Sequence, residues 1–337
     1  MDSATTPSGG LRSMPLTLGA YAAQPALSAD DVTERRWYQA LAEIPGAGGI
    51  ETFYRGTVHE RGPEHLAGCL PDQWHVVITA LPQAVAKITT TPHYGLASRD
   101  ADGRREAVAD VRHLLSEATR IDRFLGCRAV RAIELHSSPR RTGAVAADAR
   151  SLALSLRELA AEAGEIPLVI EHCDALVAGQ RPAKGFLSLE EECEAVAVAR
   201  EHGAVIGQSV NWGRSALEGR SALTAIEHIR TLVAAGTLAG VMFSGAPHVR
   251  GPLGDAWEDV HNPLRQDDAS SLLDEEQVHA AITAIGGGEG LLFLGAKVQD
   301  PRMSSDVAGR LAPLSRLVAA INTGIAPTNT DSERRSR

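Results

Sequence analysis

Ionisable side chains follow one another where an apolar run of the chain ends, in the stretch LVIEHCD at residues 168–174. Glu171, His172, Cys173 and Asp174 are costly to bury and are not needed for a turn, so they either face water or line a site. A carboxylate that closes a buried apolar run is well placed as a general base or as a ligand. Glu171 is therefore the leading catalytic candidate.

A lysine follows the uncharged run GLLFLGA, at position 297. Burying a lysine is costly unless the amine is paired or its pKa is lowered. Lys297 has three candidate chemical roles: an electrostatic clamp on a negatively charged oxygen, a general base, or a Schiff-base amine. The non-functional alternative is a side chain that extends to solvent, and the sequence does not separate these roles.

Eight strand and helix units must position these side chains. Short apolar runs with the length of buried parallel strands recur along the chain, separated by polar turns and mostly by amphipathic helical patterns. The predicted strands are 16–21, 49–54, 75–80, 130–135, 167–172, 204–210, 238–244 and 291–298. Eight alternating units predict an α/β fold with a single (β/α)8 TIM barrel over residues 16–322, and a doubly wound open sheet is the alternative.

Composition and charge narrow the class of protein. The 337 residues are 44% hydrophobic and 22% charged, and no apolar run is long enough to span a bilayer, which predicts a soluble protein without a membrane partner. The net charge of −9 is spread along the chain, and the sequence contains no basic stripe of the kind that binds nucleic acid. We therefore expect no nucleic-acid partner. Residues 1–15 lack the features of a secretory signal, so we expect a disordered leader and a cytoplasmic location, with a disordered tail at 323–337.

In a TIM barrel the functional residues lie where strands end and the following loops begin. Glu171 and His172 cannot both point into the barrel, because neighbouring side chains of a strand face opposite sides. Asp259 and His261 are two residues apart and would share one side of an extended segment. The further catalytic candidates at strand ends are His136 and His248, and the substrate-binding candidates are Tyr54, Arg55, His93, His172, Gln208, Asn211, Arg250, Asp259 and His261.

The eight-unit arrangement and the strand-five ending VIEH at 169–172 resemble the xylose isomerase-like TIM barrels, and in particular an actinobacterial branch known as DUF4862. The resemblance covers about residues 16–320. It implies a divalent metal held by a Glu after strand five, an Asp with a nearby His after strand six, a His after strand seven and a Glu after strand eight. Glu171 and His248 match two of these positions and would be the ligands of any bound metal.

The rest of that ligand set departs from the resemblance. The stretch from Gln208 to Asn211 takes the place of the acidic strand-six position, and Lys297 falls near the strand-eight glutamate. Two carboxylates are missing, and an ammonium opposes a divalent ion that prefers anionic oxygen ligands. The sequence therefore identifies no definite cofactor: a divalent metal is possible, but the ligand set that the resemblance implies is incomplete.

The function predicted from the sequence is that of an intracellular carbohydrate-active enzyme, an isomerase, epimerase or lyase. It would abstract a proton next to the carbonyl of a small sugar or sugar derivative, with Glu171 as base. Lys297, helped by His248 or His136, would stabilise the oxygen. The alternative is a catalytically silent barrel that binds a sugar or a protein partner after losing the metal site. Substrate, reaction direction and oligomeric state stay open.

Overall fold

Eight parallel strands close into a barrel in the order in which they occur along the chain. This computed structural model describes residues 10–24 and 31–326, so most of the predicted leader and tail lie outside the described residues. The predicted (β/α)8 barrel is confirmed. The strands are β1 Leu16–Leu18, β2 Ala47–Phe53, β3 His75–Thr79, β4 Val130–Leu135, β5 Leu168–His172, β6 Ile206–Asn211, β7 Leu238–Phe243 and β8 Phe293–Ala296.

Every strand is followed by at least one helix. The helices are α1 Asp31–Ala42, α2 Pro63–Cys69, α3 Leu81–Thr90, α4 Ala101–Leu125, α5 Ala149–Ala160, α6 Leu189–Glu201, α7 Trp212–Gly219, α8 Ala222–Ala234, α9 Glu275–Ile285 and α10 Val307–Ile325. Ser188 and Glu191 form a capping box at the start of α6. Within the described parts of the chain, no helix combines the length and apolar character that crossing a membrane requires.

The ends of the barrel domain differ from the sequence prediction. Leu11–Ser13 form a 3-10 helix in which Leu11 is buried, so ordered structure begins inside the predicted leader, and α10 continues past residue 322. Strand β1 stops at Leu18, because the chain turns at Gly19 into a second 3-10 helix, Ala20–Ala22. These corrections lengthen the domain and shorten its first strand.

Side-chain alternation divides the strands between two cores. Val76, Ile133 and Ile170 join the main core beneath the helices. Their neighbours Val77, Ala132 and Val169 belong to a separate apolar cluster, together with Ala239, Met242 and Phe293. This second cluster fills the barrel interior. Two residues further along β3, β4 and β5, the same inward face carries Thr79, Glu134 and Glu171, so a polar layer lies above the apolar plug at the C-terminal end.

Candidate active site

Three carboxyl groups meet inside the C-terminal end of the barrel. Glu51 of β2, Glu134 of β4 and Glu171 of β5 are all buried, and each contributes an oxygen to a group whose members lie within 4.8 Å of one another. Three carboxylates at this separation repel one another unless cations or protons compensate them. The surrounding residues supply both.

Lys297 supplies one cation, from the chain just beyond β8. Its Nζ donates to Glu51 Oε1 at 2.6 Å and lies 3.9 Å from Glu171 Oε1. The ammonium also lies 5.6 Å from the centre of the Tyr21 ring. Burial alone would lower the pKa of Lys297, but Glu51, Tyr21 and Glu171 raise it. The amine is therefore charged, which favours an electrostatic clamp over a base or a Schiff-base amine.

Arg214 supplies the second cation. Its Nη1 donates to Glu171 Oε1 at 2.5 Å, and its Nε donates to Asp259 at 3.0 Å. His136 Nε2 is 2.7 Å from the other oxygen, Glu171 Oε2. Burial alone would raise the pKa of Glu171, but Arg214, Lys297 and the hydrogen bond from His136 hold it well below its usual range. Glu171 is thus an ionised carboxylate with a protein partner at each oxygen.

Glu134 behaves in the opposite way. Burial, together with the charges of Glu171 and Glu51, raises the pKa of Glu134 well above its usual value. Its Oε1 accepts a hydrogen bond from Ser209 at 2.8 Å, whereas Oε2 has no hydrogen-bond partner among the described residues. Adjacent carboxyl groups whose pKa values are pushed apart are typical of acid and base pairs in enzymes.

A cavity of about 460 Å³ lies beside β2 and the turn that follows β1. Among the described residues its lining includes Tyr21, Glu51, Phe53, Arg55 and His59. Burial raises the pKa of Glu51 against the opposing effect of Lys297, and Glu51 Oε2 makes no hydrogen bond to the described residues. Glu51 is therefore the carboxyl of the cluster that belongs to the cavity lining, although its side chain is fully buried.

The residues do not fit the divalent metal that the resemblance implies. Lys297 already bonds Glu51, and Arg214 already bonds Glu171, so two fixed cations lie among the carboxylates that an ion would need. Asn211, at the end of the stretch that replaces the acidic strand-six position and its nearby His, is neutral and accepts a hydrogen bond from Ser244 at 2.8 Å. A divalent ion among these groups would face strong electrostatic repulsion.

The structure brings several of the sequence-predicted residues together. Lys297 and His136 contact Glu171 as described, and Asn211 Nδ2 is 3.4 Å from Glu171 Oε1. Asp259 Oδ1 lies 3.5 Å from His261 Nδ1, and Asp259 Oδ2 accepts a hydrogen bond from Lys184 at 2.7 Å. Arg55 is exposed and lines the cavity.

Three predicted substrate-binding residues lie behind the barrel wall, which corrects the prediction. His172 points outward, and its Nδ1 donates to Glu192 of α6 at 2.7 Å. Gln208 also points outward, and its Nε2 is 3.6 Å from the sulfur of Cys193. The Tyr54 hydroxyl is 3.0 Å from His113 of α4. Strand alternation turns the first two away from the mouth, and Tyr54 lies just beyond β2.

Three other predicted residues are exposed in loops and are not brought to the carboxyl cluster. His248, a predicted catalytic residue and metal ligand, has its Nδ1 2.7 Å from the carbonyl oxygen of Ser270. Arg250, whose side chain is 82% exposed, pairs with Asp255. His93 is exposed, and its backbone carbonyl packs against Gly103 in the first turn of α4.

Glu51, Glu134 and Arg214 were not among the site residues predicted from the sequence. A signal for the first two was present, because each of two predicted buried strands, GIETFY and VRAIEL, contains a glutamate. Alternation along each strand would turn that glutamate toward the barrel interior. Arg214 carries no such signal, since it lies in the first turn of a helix where arginine is ordinarily solvated. Its burial depends on Glu171 and Asp259, which are far from it in sequence.

Comparisons with known proteins place the chain among related sequences and folds. The family model described as "Domain of unknown function (DUF4862)" matches residues 17–313. Uncharacterized protein STM3670 of Salmonella typhimurium strain LT2 is 32% identical over 296 residues, which are 87% of this chain and 92% of that protein.

Solved structures of low identity share the fold. A structure of IOLI protein with a binding zinc atom has a TM-score of 0.59 at 12% identity, covering 93% of this chain and 100% of that one. D-psicose 3-epimerase from Clostridium cellulolyticum H10, solved with D-tagatose, has a TM-score of 0.54 at 14% identity, covering 92% and 96% of the two chains. At this identity the likeness establishes a common barrel fold.

Proposed function

The chain belongs to the DUF4862 family, and from that premise we propose that it is a sugar-modifying enzyme of the isomerase, epimerase or lyase type. In this proposal a small sugar or sugar derivative occupies the cavity beside β1 and β2 and loses a proton from the carbon next to its carbonyl. The observation that carries the proposal is that Glu51, which lines that cavity, is paired with Lys297.

Proton abstraction next to a carbonyl needs a base within reach of the carbon acid and a cation or donor for the developing oxyanion. Glu51 lines the cavity and has a carboxylate oxygen without a hydrogen bond to the described residues. We assign the base to Glu51 in place of Glu171, whose two oxygens are held by Arg214 and His136. The proton passes from carbon to Glu51, and the electron pair moves to the carbonyl oxygen.

Lys297 serves as the electrostatic clamp for that oxygen, because its ammonium is fixed beside the base. Glu171 acts as a positioning residue: its negative charge holds Arg214 and keeps Lys297 charged. Glu134 is the carboxyl that carries a proton at neutral pH, since its pKa is raised, and it serves as the acid of the pair. Return of a proton to the opposite face of the same carbon gives epimerisation. Return of a proton to the former carbonyl carbon, with transfer of the hydroxyl proton from one oxygen to the other, gives isomerisation.

Hydrogen isotope exchange tests the proposed chemistry even when the product is unidentified. The protein is incubated in D2O with a panel of ketoses and aldoses, including D-tagatose and D-fructose, and each sugar is analysed by mass spectrometry and NMR. We expect deuterium on the carbon next to the carbonyl of at least one sugar. Absence of exchange across the panel, with the protein shown to be folded, would contradict the proposal.

A binding barrel without turnover is the second candidate. It is favoured by the burial of all three carboxyls and by the protein partners at both oxygens of Glu171. Thermal unfolding in the presence of the same sugars separates the candidates. A sugar that raises the melting temperature but exchanges no hydrogen supports the binding barrel, whereas a sugar that does both supports the enzyme.

A further inference from the structure

A second cluster of ionisable side chains lies on the outer face of the barrel wall, between β5 and the helices around it. Its members are His172 of β5, Glu192 of α6, Glu218 of α7 and His228 of α8. His172 and Glu192 are fully buried, whereas the side chains of Glu218 and His228 are 14% and 13% exposed. Because strand alternation turns Glu171 inward and His172 outward, this cluster is separate from the barrel mouth.

Two imidazole nitrogens in this cluster face one carboxylate. His172 Nε2 lies 3.0 Å from Glu218 Oε2, and His228 Nε2 lies 3.8 Å from Glu218 Oε1. The ligand atoms of the three residues lie within 4.8 Å of one another. A tetrahedral zinc ion holds neighbouring nitrogen and oxygen ligands about 3.3 Å apart, which lies between the two measured separations.

The other ring nitrogen of each histidine is held by a separate partner. His172 Nδ1 donates to Glu192 Oε2 at 2.7 Å, and His228 Nδ1 is 2.9 Å from the hydroxyl of Ser215. Glu192 is itself held by the hydroxyl of Ser137 at 2.5 Å. Histidines that bind metals typically have such a partner, which fixes the ring and leaves Nε2 for the ion.

We propose that His172, Glu218 and His228 form a transition-metal site in the shell of the barrel, with zinc as the ion that suits it best. Two imidazoles and one carboxylate are a common zinc ligand set, with water in the fourth position. The partial exposure of Glu218 and His228 provides a path of entry. The bound ion links β5 to α7 and α8, and it replaces the proton that His172 shares with its two carboxylates.

Cobalt titration tests this site directly, because Co²⁺ occupies zinc sites and its visible absorption reports the coordination. The untagged full-length chain is stripped of metal with a chelator and titrated with Co²⁺. We expect one Co²⁺ per chain, a four-coordinate spectrum, and loss of that spectrum when Zn²⁺ is added. His228→Gln should weaken binding by about a hundredfold or more. The matched control is His202→Gln, since His202 is an exposed histidine at the end of α6 and should bind as the wild type does.

A further pair of variants separates this site from the barrel mouth and from a general failure to fold. Glu134→Gln, in the mouth, should leave Co²⁺ binding unchanged. Ser215→Ala removes only the partner of His228 and should weaken binding by about 10-fold to 100-fold, which decides the matter if His228→Gln does not fold. The proposal is overturned if the wild type binds no Co²⁺, or if binding depends on Glu134 and survives both shell variants.

Discussion

The ammonium of Lys297 lies 2.6 Å from Oε1 of Glu51, and both side chains are fully buried. These residues are 246 positions apart in the chain. Glu51 lies in β2 and Lys297 follows β8, and β1 lies between these two strands in the closed barrel. Gly19, at the end of β1, leaves room for them, because an added Cβ there would lie 2.6 Å from both Glu51 Oε2 and Lys297 Cβ. The packing of Glu51 and Lys297 therefore depends on a glycine that follows β1, the strand between β8 and β2.

Gly19→Ala should displace the pair without straining the backbone, since φ at this residue is −76° and suits alanine. We expect the free energy of unfolding to fall by about 1–3 kcal/mol, as in other overpacked cores, and isotope exchange to fall at least tenfold. Urea denaturation and the exchange assay measure both. Gly287→Ala is the matched control, because Gly287 is exposed with no atom near its added Cβ. Equal effects of the two substitutions would contradict the packing argument.

Glu171→Gln and Glu134→Gln should differ in their effect on stability, although both glutamates are buried in the same cluster. The first substitution removes one of the two anions that pair with Arg214, which should cost about 3–5 kcal/mol. The second replaces a carboxyl that already carries a proton at neutral pH, so we expect a change of less than about 1 kcal/mol. Chemical denaturation at neutral pH gives both values. A larger loss for Glu134→Gln would show that the charges are assigned wrongly.

Acid should destabilise the fold in part through His75, which is buried at the start of β3 with its Nε2 2.7 Å from the Thr17 hydroxyl. Burial, with a smaller effect from Arg131, lowers the pKa of His75 to about 3. Between about pH 6.5 and this value the unfolded chain binds a proton that the folded chain does not, so stability falls as the pH falls.

The slope from this one group is at most about 1.4 kcal/mol per pH unit. His75→Gln should remove it, so that the difference in unfolding free energy between variant and wild type shifts in favour of the variant on going from pH 7 to about pH 5. The exposed His202→Gln is the control and should follow the wild type. A pH-independent difference for His75→Gln would show that His75 is protonated in the folded protein.

The fold was predictable because its signals are local. Each apolar run identified a strand, and alternation within β5 correctly required Glu171 and His172 to face opposite sides. The contact between Glu171 and Lys297 followed from their positions at two strand ends of a closed barrel. The predicted roles of His248 and Arg250 depended on the path of the long loop after β7. This loop contains two residues with left-handed backbone, Trp257 and His261, and it leaves the side chains of His248 and Arg250 exposed. No periodic pattern specifies such a path.

The site was less predictable than the fold, because its electrostatics arise between distant strands. Glu51 differs from Glu134 and Glu171 in lining the cavity, and only the folded structure contains that distinction. The opposite pKa directions of Glu134 and Glu171 depend on where Arg214 lies, and its burial is set by packing of α7 against the loop that holds Asp259. Sequence spacing contains neither fact.

The rate of isotope exchange by Glu51→Gln, on the sugar that the wild type exchanges fastest, is the most direct test of the account. If Glu51 is the base, the rate falls by about 10²-fold to 10⁴-fold while the sugar still stabilises the folded protein. Glu158→Gln, which alters a surface ion pair with Arg104 and Arg112, is the control and should exchange at the wild-type rate. A Glu51→Gln protein that is folded, binds the sugar and exchanges hydrogen at the wild-type rate would contradict the account.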